Sequence, residues 1–278
     1  ELVLATNQNG ERYPIEKELV YPLVRGRDIG VLSETAREQK IAWTFSHIHI
    51  VLPHNPRNDW KPLPEPIMRQ KKEAWDYFMK EPKHLKKLKN RKDWSEQKGP
   101  PYMIFRISPR KMDTFKVAYA DTVTRLSACV MPPKVEDELL GTKAVVVDGT
   151  ADIITIKNED EAHYVCALLN SAPLRSFAYT IALAKGGVPY KRFTNWTVAV
   201  LPLPRYERDS EVCKELIRKS KEAHKAAATS DLSRVPKCEA EIDEIARSLF
   251  GLTKAELETL KEHHQLLSGV VSVVRDRY

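Results

Sequence analysis

Residues 161–204, EAHYVCALLNSAPLRSFAYTIALAKGGVPYKRFTNWTVAVLPLP, constrain the fold of this chain more than any other stretch. Asn158 and Glu161 form a capping pair, after which Ala162, Val165, Cys166, Leu168 and Leu169 recur at helical spacing. Asn170, Ser171 and Pro173 stop that run, and a second short apolar helix is predicted before Lys185-Gly186-Gly187. The segment 185–192 then carries three cations, two glycines and a tyrosine, and residues 196–201 read as a strand ending in Pro202-Leu203-Pro204. A helix, a basic glycine turn and a strand therefore follow one another within 44 residues.

The rest of the chain predicts an α+β fold with a mixed or antiparallel sheet and flanking helices. Residues 16–29 read as a short helix or extended segment before a turn, and residues 41–52 alternate like a strand. Residues 66–79 have helical character. Short β-rich runs at 102–107, 115–120, 127–131, 144–147 and 153–156 suggest a sheet of five or more strands. The final quarter changes to a helical appendage: residues 209–228 form a long polar helix, and Ile242, Ile245, Ala246, Leu249 and Phe250 make an apolar stripe. Gly251 suits a helix stop, and Thr253 with Glu256 suits a capping box for another helix. The expected division is an α+β domain over 1–204 and a helical subdomain over 205–278.

Charge becomes informative once located. The net charge is +7, and residues 57–98 hold 13 cations against 7 acids, nearly all of the excess. Within them, residues 83–92 (KHLKKLKNRK) carry Lys83, Lys86, Lys87, Lys89, Arg91 and Lys92 with no acid. Clustered Lys and Arg release counterions from a polyanion such as a phosphate backbone, although such a run is also compatible with a solvated helix face. No run of eighteen apolar residues and no signal-peptide pattern occurs, so a cytoplasmic protein without a membrane span is expected. Four widely spaced cysteines make no CxxC motif and are expected to be reduced and buried. His47 and His49 would share a strand face, and with no third ligand in view they are expected to be sheet residues with hydrogen-bonded rings and no metal.

The order "ALLNS, basic glycine segment, LPLP" resembles the C-terminal specificity region of adenine-N6 DNA methyltransferases, including those fused to nucleases in single-chain restriction-modification enzymes of type II/IIG. The run Tyr21-Pro22-Leu23-Val24-Arg25-Gly26-Arg27-Asp28-Ile29 is similar to the "pLlrGrDI" segment of that region. Residues 75–94 are similar to its "YL, L, R, W" stretch, and residues 242–256 to its "D, hydrophobics, YGLT, E" ending with Phe250 for Tyr. The resemblance implies double-stranded DNA as the partner. It also implies a separate catalytic methyltransferase domain of the same parent chain, which would bind S-adenosylmethionine; no cofactor is expected in this chain. The start at Glu1 without methionine agrees with a piece of a longer protein. Asp28 could pair with a neighbouring arginine or cap a helix, so Arg25 and Arg27 have structural and DNA-facing readings alike.

One string tests an enzymatic reading. Gly99-Pro100-Pro101-Tyr102 lacks the Asn or Asp that precedes Pro-Pro-Tyr in these methyltransferases, where the polar side chain orients the adenine amino group and the ring stacks on the flipped base. With glycine there, and no glycine-rich phosphate loop or nucleophile elbow elsewhere, this chain alone is expected to be non-catalytic. The expected mechanism is recognition. The basic side chains of 83–92 hold phosphates, while Lys185, Tyr190, Lys191 and Arg192 face DNA at a segment where Gly186 and Gly187 allow close backbone approach. Two other classes fit the same composition: an RNA-binding module stacking bases on Trp60, Tyr77 or Trp94, and a protein-binding scaffold using the C-terminal helices.

Overall fold

A computed structural model describes residues 1–7, 9–30, 42–80, 99–104, 107–184, 190–231 and 233–262. The strands, in chain order, are β1 (Leu2–Thr6), β2 (Arg12–Glu16), β3 (Val20–Val24), β4 (Ile48–Val51), β5 (His54–Asn55), β6 (Lys61–Pro62), β7 (Phe115–Ala120) and β8 (Thr122–Val123). They continue with β9 (Ala128–Met131), β10 (Lys134–Asp137), β11 (Gly141–Ala144), β12 (Val146–Val147), β13 (Ala151–Ile156), β14 (Leu183–Ala184) and β15 (Lys191–Arg192). The helices are α1 (Glu65–Gln70), α2 (Lys72–Met79), α3 (Pro109–Met112), α4 (Glu159–Asn170), α5 (Ala172–Ile181), α6 (Asn195–Ala199), α7 (Glu211–Ala228) and α8 (Arg234–Leu249). Residues 254–262 are also helical. The fold is α+β, with helices gathered towards the C-terminus.

The chain forms two compact units. Unit 1 comprises Glu1–Leu23, Ile48–Thr114 and Pro133–Val146, and unit 2 comprises Val24–His47, Phe115–Pro132 and Val147–Tyr278. The chain therefore passes repeatedly from one to the other. The helices after residue 204 belong to unit 2 together with α4, α5 and α6, whereas α1, α2 and α3 belong to unit 1.

In unit 1, β1 and β2 form an antiparallel hairpin in register from Leu2↔Glu16 to Thr6↔Arg12. Its inner residues Val3 and Ile15 pack with Met68, Ala74, Phe78 and Tyr102. The helix expected over 66–79 is two helices, because Lys71 leaves helical geometry at ψ 76°. The Glu16 carboxylate accepts the Glu73 and Ala74 N–H groups at 3.1 and 2.9 Å, so donors freed at the interruption are satisfied from the hairpin. A second cluster gathers Tyr21, Leu52, Trp60, Met112 and Ala144.

Unit 2 is organised on the antiparallel order β13-β7-β9. Its large core joins Val117 and Tyr119 of the sheet to Leu168 and Leu169 of α4, Leu216 and Ala223 of α7, and Ile242 and Ala246 of α8. All four cysteines are buried and free. Among the described residues the sheets have two or three strands rather than the five or more expected. The β13-β7-β9 sheet widens no further at β9 because side chains, those of Asn170 and His224, take the hydrogen bonds of its outer edge; the strand's length ends at Met131, before Pro132 and Pro133, which have no N–H to extend a ladder.

Two further local expectations meet different structure. Residues 196–201 are not a strand: Asn195–Ala199 is a helix, with Thr194 as its cap accepting from the Thr197 N–H at 3.3 Å. Residues 102–104 are irregular rather than extended. The caps hold as expected. The Asn158 side chain accepts from Glu161 N at 3.1 Å, Gly251 has φ +66°, and Thr253 and Glu256 cap each other reciprocally.

Candidate nucleic-acid interface

The ALLNS motif proves to be a joint that fixes the framework. Asn170, the last residue of α4, donates to the Ala128 carbonyl at 2.8 Å and accepts the Ala128 N–H at 2.9 Å. It thus acts as a strand partner for the free edge of β9. The Val130 N–H on the same edge donates to His224 Nε2 at 2.8 Å. An open edge buried without such partners would leave polar groups unsatisfied.

The following turn is held by a buried ionic network. Arg175 donates from Nε to the Leu126 carbonyl at 3.0 Å, and from Nη2 to Asn170 at 3.0 Å and Glu239 at 3.3 Å. Burial raises the Glu239 carboxyl, but the Arg175 and Arg125 guanidiniums outweigh it and hold its pKa below the usual range. Asp243 accepts the Ala172 N–H at the start of α5 at 2.7 Å, yet burial prevails there and its pKa is raised. These contacts position α5, and α5 leads directly into the β14–β15 pair.

Two distant sequence motifs converge beside β8. From the first, Arg25 donates through Nε and Nη2 to the Asp28 carboxylate at 2.6 and 2.8 Å, and its N–H also reaches Asp28 at 3.0 Å. Arg25 is therefore occupied structurally. Arg27 is exposed and has no ion-pair partner among the described residues. Gly26 lies against Thr150 so closely that a Cβ would meet its carbonyl oxygen at 2.1 Å, which excludes every other residue without a backbone shift. Arg25, Gly26, Arg27, Ala120, Asp121, Thr122, Val123, Asp148, Gly149 and Thr150 line a surface cleft of about 500 Å³.

From the second motif, β15 pairs on one side with β14 and on the other with β8. The register places Leu183, Arg192 and Thr122 directly opposite one another, so their side chains share a face; Ala184, Lys191 and Val123 share the other. Lys191 turns towards α5, its Nζ 4.8 Å from the centre of the Tyr179 ring and 3.4 Å from the Ala182 carbonyl. Arg192 is half-exposed and donates through Nε to both oxygens of Asp121, each at 3.1 Å. Tyr190 is 39% exposed. The candidate interface is thus the row of Leu183, Arg192 and Thr122 with the adjoining cleft that carries Arg27.

Of the residues expected to contact DNA, Tyr190, Lys191 and Arg192 lie at this rim, with Lys191 facing inward. Lys83, Lys86, Lys87, Lys89, Arg91, Lys92, Lys185, Gly186 and Gly187 lie outside the described residues, as does Trp94. Trp60 is buried at 4% exposure with its Nε1 on Asp113, and half-buried Tyr77 is stacked edge-on against Tyr13 and Phe78, so neither offers an open face for a base. Tyr102 is 1% exposed with its hydroxyl on the Leu63 carbonyl. Its ring has no free face for a flipped base either. His49 pairs with Asp137 at 2.8 Å, and His54 is bonded at both nitrogens, to the Trp60 carbonyl and the Ile104 N–H. The aromatic that sequence reasoning overlooked is Trp196, 64% exposed although its neighbours are anchored: Asn195 bridges Tyr119 and Asp152, and Thr197 and Val198 are buried. Its place in an alternating run concealed it.

No family model matches the chain, and no curated protein matches it in sequence. Among solved structures, the chain is similar to a restriction endonuclease of type IIG. That enzyme, BpuSI, shares 11% sequence identity at a TM-score of 0.38, over 84% of this chain. The chain spans 26% of the length of BpuSI. A likeness this distant assigns neither family nor function. No described helix is long and apolar enough to cross a membrane.

Proposed function

We propose that this chain is a double-stranded DNA recognition module: the specificity region of an adenine-N6 DNA methyltransferase or restriction-modification enzyme. The observation that carries the reading is the convergence of the arginine-bearing segments 25–28 and 190–192 on one rim around Asp121 and Thr122. Both segments belong to motifs legible in the sequence, and 165 residues separate Arg27 from Arg192. Because Arg25 and Arg192 each face a carboxylate, the rim is not a diffuse cationic patch. It offers oriented donors, which suit base edges, while the run 83–92 supplies phosphate contacts.

Methyl transfer belongs to a separate domain of the parent chain, which would bind S-adenosylmethionine and place the extruded adenine. Gly99 and the buried Tyr102 do not fit that chemistry here. Titration of a labelled duplex at several salt concentrations tests the reading. Replacing Lys86, Lys87, Lys89 and Arg91 with alanine is expected to weaken binding to all duplexes alike and to flatten the salt dependence. Absence of duplex binding even at low salt, or preference for single-stranded RNA, would defeat it.

A further inference from the structure

Arg192 meets Asp121 in an unusual way: both carboxylate oxygens take the single Nε–H, each at 3.1 Å. The two terminal nitrogens have no partner among the described residues. Asp121 is itself immobilised, since its N–H donates to the Thr150 carbonyl at 3.2 Å and its carbonyl accepts the Phe193 N–H at 2.7 Å. Phe193, next to Arg192 in the chain, is fully buried. The carboxylate is therefore a fixed support behind the guanidinium, and the edge that remains is the one with two parallel N–H groups.

We infer that Asp121 is a positioning residue that presents Arg192 to a guanine in the major groove. This rests on the DNA-recognition reading above. The carboxylate decides between the two targets open to an arginine: it repels a phosphate lying just beyond the guanidinium, but does not repel the neutral acceptors O6 and N7 of guanine. Adenine offers an amino donor at the position of O6 and is disfavoured by the same two donors. Thr122 and Leu183, in the same row, flank the side chain.

The test begins with selection of preferred sites by the 278-residue chain from a duplex of randomised sequence. Each guanine of the selected site is then replaced by 7-deazaguanine, which lacks the N7 acceptor. One position is expected to lose affinity by roughly tenfold or more. Arg192→Ala and Asp121→Ala should each abolish sensitivity at that position, with Asp121→Asn intermediate because it retains an acceptor for Nε. Affinity for unrelated duplexes should rise in the Asp121 variants, because a negative charge leaves the rim, and the melting temperature should hold. A general structural defect would instead lower both. Asp121→Ala or Asp121→Asn retaining full discrimination at every guanine overturns the inference while leaving DNA recognition intact; failure of the unaltered chain to bind any duplex overturns both.

Discussion

Arg175 and Arg192 lie in the same unit and each faces a carboxylate, but their surroundings differ. Arg175 is 3% exposed, and its bonds run to Leu126, Asn170 and Glu239, joining the α4–α5 turn to α8. Arg192 sits on a short strand at the surface and uses only Nε. An ion pair alone thus does not distinguish a structural arginine from a recognition arginine. The donors left over, and whether solvent reaches them, do.

The sharpest way to break the comparison is Arg175→Ala. It would leave the partly buried Glu239 carboxylate with only Arg125 and the Trp43 N–H as partners, at a cost of about 3 kcal/mol, measurable as a shift of the urea midpoint. A loss below about 1 kcal/mol would mean that this network does not hold the α4–α5 turn to α8. Acid probes the same core next. Burial first, then His224 and Lys221, push His163 down to about 3; burial pushes His224 down to about 4. Both folded-state values lie below the usual 6.5, so the stability they confer is complete above pH 6.5 and is lost as the pH falls towards them. Between pH 7 and pH 5 the loss is about 2 kcal/mol for each histidine. An unfolding free energy that did not change over that interval would contradict their burial.

Gly26→Ala addresses the rim. Its methyl group would collide with the Thr150 carbonyl oxygen, and the required backbone shift costs about 1–3 kcal/mol. Calorimetry of this variant measures how tightly the arginine segment is seated. The smallest effect is expected from Arg192→Ala and Trp196→Ala, each within about 0.5 kcal/mol of the unaltered chain because both side chains project from anchored backbone into solvent. A large drop in melting temperature for either would move it to the Arg175 class.

Much of the helical framework was legible in the chain. Asn158, Ser171, Gly251 and the Thr253/Glu256 pair mark helix ends through bonds that span at most four residues, and the apolar stripes of α4, α7 and α8 repeat within a few turns. The α+β class followed from the same local signals. Residues 196–201 show where such signals fail: their alternation suits a strand, yet Thr194 caps a helix that buries Thr197 and Val198 and exposes Trp196.

What the sequence determined by itself were features with local causes: caps, turns, amphipathic faces, the two arginine-bearing segments and the displaced positive charge. Only the tertiary structure decided that β8 pairs with β15 across some seventy residues, that Arg25 is held by Asp28 while Arg27 is exposed, and that Lys191 faces α5 while Arg192 faces outward. A strand's register assigns its side chains to one face or the other, and a slip of one residue would exchange them. That register depends on partners far away in the chain, so no local pattern around 190–192 could have fixed which cation is available to a ligand.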